Sequence, residues 1–346
     1  MSFRTHAARI TLLVGLIAAA VATQAQAQPQ SQTVLRLVTL SPPQSFLSAG
    51  FMKPWAQRMT EQSKGQLRID VFDGMTLADN LNVIDRVKGD VINMAWGLQI
   101  YGGGKYVFTD VVSLPFIAST AESGSVALWR LYARGLLARE YDDIKPLILL
   151  SVPQQQVHTI SKAVQKLEDL RGLKLRAAAK VTTQIITALG ATPISINVGE
   201  MYEALQRGTV DGTVMPWTAF PPFKLQEVTK IHVDAALGSS PAMIFMSRKK
   251  FDSLPADVRK VIDDNSGEAA TREFAKIWDG VQIKVRADVK ALPGHTVVEL
   301  PEAEFARWRE RLQPIREAWI KSVPGSDKIV DAYIAEVTKL EAEAKK

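Results

Sequence analysis

The sequence predicts an α/β fold in two blocks followed by a helical C-terminal region, on three observations. Short apolar or alternating runs that read as strands are separated by segments of helical spacing from Thr33 to Arg248. From Pro255 onward the pattern changes to long, charged helical stretches. A chain of 346 residues is also long enough for two lobes.

The chain begins with Arg4 and Arg9 ahead of an apolar run from Ile10 to Ala22, with small residues at Ala25 and Ala27. This reads as a secretory signal over 1–27, cleaved after Ala27, because the run is shorter than the roughly 20 residues a spanning helix needs. No later stretch is long and apolar enough to span, so no stable membrane insertion of the mature chain is expected. There are no cysteines, which excludes disulfides, thiolate zinc and a cysteine nucleophile. Leader and composition together indicate a periplasmic protein.

In the first block, "TVLRLVTL" (Thr33 to Leu40), "QLRIDVF" (Gln66 to Phe72) and "DVINMAW" (Asp90 to Trp96) read as strands. Helices are expected over Phe51 to Ser63 and Asn80 to Lys88, so a mostly parallel sheet covered by helices follows. One long helix is expected from Glu122 to Tyr141, and "KPLILLSV" (Lys145 to Val152) reads as a strand buried on both faces. The second block runs through "VHTIS", "LKLR", a helix from Thr182 to Leu189, "TPISINV", a helix from Glu200 to Arg207 stopped by Gly208, and "TVDGTVM". "PAMIFMSR" (Pro241 to Arg248) is a further strand, after which Pro255 to Lys290, Pro301 to Ile320 and Asp327 to Lys346 read as helical.

Catalytic and nucleic-acid signatures are missing. The net charge of +6 is spread along the chain without a concentrated basic face, so no nucleic-acid partner is expected. The four histidines have no partner at metal-ligand spacing, so neither a metal nor a cofactor is expected. "YGGGKY" lacks the Ser or Thr and the upstream Gly of a phosphate loop, "SRKK" stands without the companion motifs of penicillin-binding enzymes, and no GxSxG occurs. The chain does not read as an enzyme.

One cation stands out. In "GLKLRAAAK" (Gly172 to Lys180) a short strand ends on Arg176 just before a helix begins. Ligands of open α/β sheets bind outside the carboxyl ends of strands, and a guanidinium there can grip a carboxylate with two parallel hydrogen bonds. A surface arginine or an interlobe salt bridge is the alternative reading of the same pattern.

"LEDLRGLKLR", "ALGATPISINVGEMYEALQRGTVDG" and "MPW" (Met215 to Trp217), with "WGLQIYGGGKYVFTDVVSLPF" and the helical C-terminus, resemble the solute-binding proteins of tripartite ATP-independent periplasmic (TRAP) transporters, the DctP-type family. The resemblance covers nearly all of the mature chain. It implies a two-lobed periplasmic-binding-protein fold with a hinge, closing on an organic anion and delivering it to a membrane permease. One lobe is expected to hold 28–151 with about 235–280, the other 152–234 with part of 281–346, and 255–346 to brace both.

The family's carboxylate-binding arginine falls on Arg176. Met215 stands where many members place a ligand-facing asparagine, Gln156 corresponds to a second arginine of sialic-acid binders, and Val198 replaces a common phenylalanine. One strong cation and a less polar pocket are therefore expected. Trp96 and Trp217, ahead of Phe220 and Tyr101, are candidates to cover an apolar ligand body, with Gln99, Ser45 and Met75 as loop candidates.

A hydrogen bond to a charged group contributes about 1.5 to 3 kcal/mol, whereas micromolar affinity needs about 8 kcal/mol. Arg176 would orient and select, and apolar burial at roughly 25 cal/mol per Å² would supply much of the rest. The expected ligand is a monocarboxylate with an apolar or aromatic body. The alternative is a C4-dicarboxylate or sugar acid whose second polar end meets Gln156 or His158, and an exported hydrolase is a remote third.

Overall fold

The structure, a computed structural model, describes residues 32–345; the leader reading lies outside the described residues. Among the described residues, eleven strands form two sheets. The first sheet holds β1 (Thr33–Val38), β2 (Leu67–Phe72), β3 (Met94–Leu98), β4 (Ile144–Ser151) and β10 (Pro241–Ser247), in the order β2-β1-β3-β10-β4. The second holds β5 (Gln156–Thr159), β6 (Lys174–Ala177), β7 (Thr192–Ser195), β8 (Gly212–Met215), β9 (Ile231–Asp234) and β11 (Thr296–Glu299), in the order β11-β9-β5-β8-β6-β7.

Both sheets are mostly parallel, as expected, and each takes in a single antiparallel strand. β1 runs parallel to β2 and β3, but β10 is inserted antiparallel between β3 and β4. β5 likewise lies antiparallel between β8 and β9. Each inserted strand arrives from the other sheet, along 152–155 or 235–240, and enters opposite to its new neighbours. A connection between sheets carries no right-handed crossover helix to enforce parallel pairing.

The apolar run in β4 is buried because helix Ala121–Ala133 covers one face and helix Gly267–Lys290 the other. The helix expected to reach Tyr141 stops at Ala133. Gly135 takes a φ of 79°, and the Leu136 amide turns back to the Leu131 carbonyl at 3.1 Å, an end that a left-handed glycine makes possible. The remainder forms a single turn over Ala138–Tyr141. β11 was not anticipated: four residues at a half-exposed sheet edge, parallel to β9, carry little hydrophobic signal.

The two sheets are joined where their connections cross. The Val152 amide bonds the Ser240 carbonyl at 3.1 Å, and Gln155 and Leu237 bond the 238 and 155 carbonyls at 2.8 and 2.9 Å. At Gly238, with a φ of 85°, an added Cβ would lie 2.2 Å from the Ser113 carbonyl oxygen. The crossing therefore packs directly on the first sheet's loops.

Helix Gly267–Lys290 seats Phe274, Ala275 and Trp278 in the core of the first sheet and Val285 and Val289 in that of the second. At 1.5 Å per residue its 24 residues span about 36 Å, long enough to serve both halves. Helix Glu302–Ser322 buries Trp308, Leu312, Ile315 and Trp319 and packs on helix Lys180–Ala188; helix Ser326–Glu343 returns to helix Ala121–Ala133. No helix among the described residues is long and apolar enough to cross a membrane.

Candidate functional site

Arg176 is the third residue of β6, between β7 and β8, and is 1% exposed. Its Nε donates to the Ile196 carbonyl at 2.9 Å, and its Nη1 lies 3.3 Å from the Met215 sulfur at the end of neighbouring β8. No carboxylate among the described residues forms a salt bridge with it. Burial pushes the guanidinium's pKa below the ordinary arginine value, and the Tyr101 phenol beside it partly offsets that. An uncompensated buried charge costs several kcal/mol. An incoming anion would supply the missing partner, and the guanidinium has donors left to receive it.

Tyr101 comes from the opposite half, in the single turn Gln99–Tyr101 that follows β3. The structure thus places an aromatic from the first lobe against the cation of the second. The same stretch holds Trp96, partly buried with an unpartnered indole N–H, and Gln99, 3% exposed.

Gln99 ends a polar chain whose hydrogens can be assigned from its far end. The Glu140 carboxylate accepts the Thr109 amide at 3.0 Å and the Thr109 hydroxyl at 2.6 Å. Burial raises the Glu140 pKa, while the Thr109 and Phe108 donors hold it down. With its one hydrogen used, Thr109 Oγ1 must accept from the Tyr141 hydroxyl at 2.8 Å, so Tyr141 in turn accepts from Gln99 Nε2 at 3.2 Å. Gln99 Oε1 is left buried, an acceptor without a donor.

The other residues expected at the site are employed differently. Gln156 Oε1 accepts the Ala235 and Ala236 amides at 2.6 and 3.1 Å, and its Nε2 reaches the Gln154 carbonyl at 3.4 Å, so this side chain ties β5 to the crossing segment. Trp217, 1% exposed, packs against His158, Phe220 and His232 and spends its N–H on Asp234 at 3.1 Å. Ser45 caps the turn Phe46–Met52 by accepting the Ser48 amide at 3.2 Å. Met75 is 50% exposed, and Val198 packs against the second lobe's core around Met201.

Three histidines that sequence spacing left unconnected form a line, His158 and His232 in the second sheet and His295 just before β11. His158 Nε2 meets the Met215 carbonyl at 3.0 Å, His158 Nδ1 meets His232 Nδ1 at 3.1 Å, His232 Nε2 meets His295 Nδ1 at 3.0 Å, and His295 Nε2 meets Lys230 Nζ at 3.0 Å. A carbonyl only accepts and an ammonium only donates, so the two ends assign every tautomer between them. Each ring is neutral and donates toward Met215. Burial depresses the pKa of His158 to about 3 and of His232 to about 2, and also lowers that of His295. The rings are consecutive hydrogen-bond partners rather than convergent ligands.

Two surface hollows lie elsewhere, one beside Phe116, Arg309 and Arg316, the other beside Ser161, Arg171 and Asp211; Arg176 lines neither. The pairing of Arg176 with Tyr101 across the lobes is therefore the better candidate site. Its chemistry is that of binding: the described groups around it include a cation, orphaned donors and acceptors, and aromatic rings, but no nucleophile held by a base.

The profile of the bacterial extracellular solute-binding proteins of family 7 (DctP) matches residues 38–322. A curated relative, "Outer membrane transporter protein TsaT" of Comamonas testosteroni, is 26% identical over 325 residues, 93% of each chain. A marine-metagenome TRAP solute-binding protein described as specific for aromatic acid ligands, solved with 3-hydroxybenzoate, is 29% identical with a TM-score of 0.84, covering 89% of this chain and 98% of that one. A TRAP solute-binding protein of Rhodoferax ferrireducens T118, solved with copurified benzoate, is 25% identical with a TM-score of 0.85, covering 90% and 100%. The chain belongs to the bacterial extracellular solute-binding proteins of family 7, two-lobed TRAP receptors rather than enzymes.

Proposed function

We propose that this chain is the periplasmic receptor of a TRAP transporter for a monocarboxylate with an apolar or aromatic body. It leaves the cytoplasm by a leader cleaved after Ala27, and hands its ligand to a membrane permease. Arg176 receives the carboxylate, with Met215 beside it, and Tyr101, Trp96 and Gln99 approach from the other lobe. The observation that carries the reading is a buried guanidinium with no carboxylate partner among the described residues, next to a tyrosine of the opposite lobe. Ligand bound there touches both halves, so it stabilises the closed arrangement by as much as it gains contacts on closure. The aromatic acids in two of the structures similar to this one support the ligand class.

A C4-dicarboxylate is supported less well. A second carboxylate needs a second donor; of the two side chains weighed for that role, His158 spends its N–H on the Met215 carbonyl, and Gln156 is held by the Ala235 and Ala236 amides with one Nε2 hydrogen on the Gln154 carbonyl. Calorimetry of the mature chain with benzoate and with succinate tests the proposal. Micromolar benzoate binding with no succinate response is the expected result; tight succinate binding without any response to aryl carboxylates overturns it.

A further inference from the structure

We infer that the captured acid carries a hydroxyl group as well as its carboxylate, and that Gln99, assisted by Trp96, reads it from the lobe opposite Arg176. This rests on the aryl-carboxylate reading above and adds a second polar contact to it.

Among the described residues, seven buried side-chain polar atoms lack a hydrogen-bond partner, and three of them, on Trp96, Gln99 and Tyr106, belong to one stretch of the chain. That stretch also carries Tyr101, the neighbour of Arg176. Unmet polar valence is thus concentrated in the segment that approaches the cation, whereas the remaining orphans are scattered. Buried orphans of this kind are rare in folded proteins and call for an explanation.

The types of the orphans narrow the answer. Gln99 Oε1 is an acceptor, because the chain from Glu140 through Thr109 and Tyr141 fixes which end of the amide faces Tyr141. The Trp96 indole nitrogen is a donor only. A carboxylate cannot serve Gln99, since both would be acceptors. An ammonium would serve Gln99 but leave Trp96 unmet, and would bring a second cation into the cleft that holds Arg176. A hydroxyl donates to one and accepts from the other. The preferred ligand is therefore a hydroxylated aryl carboxylate.

The test is calorimetry of the mature chain against benzoate, the three hydroxybenzoates, mandelate and the three methylbenzoates, repeated on Gln99→Met and Trp96→Phe. At least one hydroxylated acid should bind about tenfold more tightly than benzoate, with no methylbenzoate showing that gain, since a site with an unmet acceptor discriminates against analogues lacking the donor. Gln99→Met should erase the gain, so that the hydroxylated acids bind no more tightly than benzoate measured on the same variant, a ratio that mere loosening of the fold would not move. Trp96→Phe, which keeps the ring plane, should reduce the gain and stands in if Gln99→Met fails to fold. Equal binding of benzoate and every hydroxylated acid overturns the inference, as does a gain that survives in the folded variants. Absence of binding by every aryl acid overturns the underlying ligand reading instead.

Discussion

Each lobe contains a polar chain, and the two end differently. In the second lobe, Lys230 donates to His295, His295 to His232, His232 to His158 and His158 to the Met215 carbonyl, so every hydrogen meets an acceptor. In the first, donors run from Gln99 through Tyr141 and Thr109 to Glu140, and the Gln99 carbonyl is left over. His158 and His232 in the one chain and Gln99, Thr109, Glu140 and Tyr141 in the other are all buried, so burial alone does not separate structural from ligand-facing polar groups. The distinction lies in whether the last atom has a partner.

The largest expected effect attacks the closed chain. His158 and His232 have folded pKa values far below the ordinary 6.5, so the unfolded chain binds protons that the folded one does not. Stability from this source is complete above pH 6.5 and is lost as pH falls through 6.5 toward the folded values of about 3 and about 2. At pH 5 the loss is about 2 kcal/mol for each of the two rings. Thermal unfolding between pH 8 and pH 5 should show that decline, and His232→Phe should make it shallower; a slope unchanged in the variant would separate the chain from acid sensitivity.

Next comes the unspent group of the second lobe. Arg176→Met should weaken binding of the cognate acid by about a hundredfold, in line with two charge-assisted hydrogen bonds. It should leave the melting temperature unchanged or higher, because it removes a buried charge that lacks a carboxylate partner. Retained affinity in calorimetry would mean that the carboxylate is held elsewhere.

The smallest effect concerns a group the sequence placed at the site and the structure shows engaged. Gln156→Leu strips the buried Ala235 amide and the partly buried Ala236 amide of their acceptor and should cost about 1 to 3 kcal/mol of stability. Ligand affinity of the folded protein should not change. A large loss of affinity with little loss of stability would return Gln156 to the ligand.

What was legible in the sequence follows from how local each signal is. Arg176 at the end of a period-2 run, the buried run of β4 and the change of pattern after Arg248 are written in consecutive residues. The histidine line is not, because His158, His232 and His295 sit on β5, on β9 and just before β11, which become neighbours only through sheet order. The Gln99 chain likewise draws on side chains 99, 109, 140 and 141, brought together by packing. Trp217 and Gln156 read from the sequence as ligand candidates, but nothing local shows that Asp234 and the Ala235 and Ala236 amides already occupy their polar atoms.

One continuous rod, Gly267–Lys290, is seated in the cores of both halves. The halves are therefore not free to drift: parting them must roll or flex that rod. Spin labels on either side should report two separated distance peaks rather than a broad band, and a permease would then need to tell apart only two silhouettes.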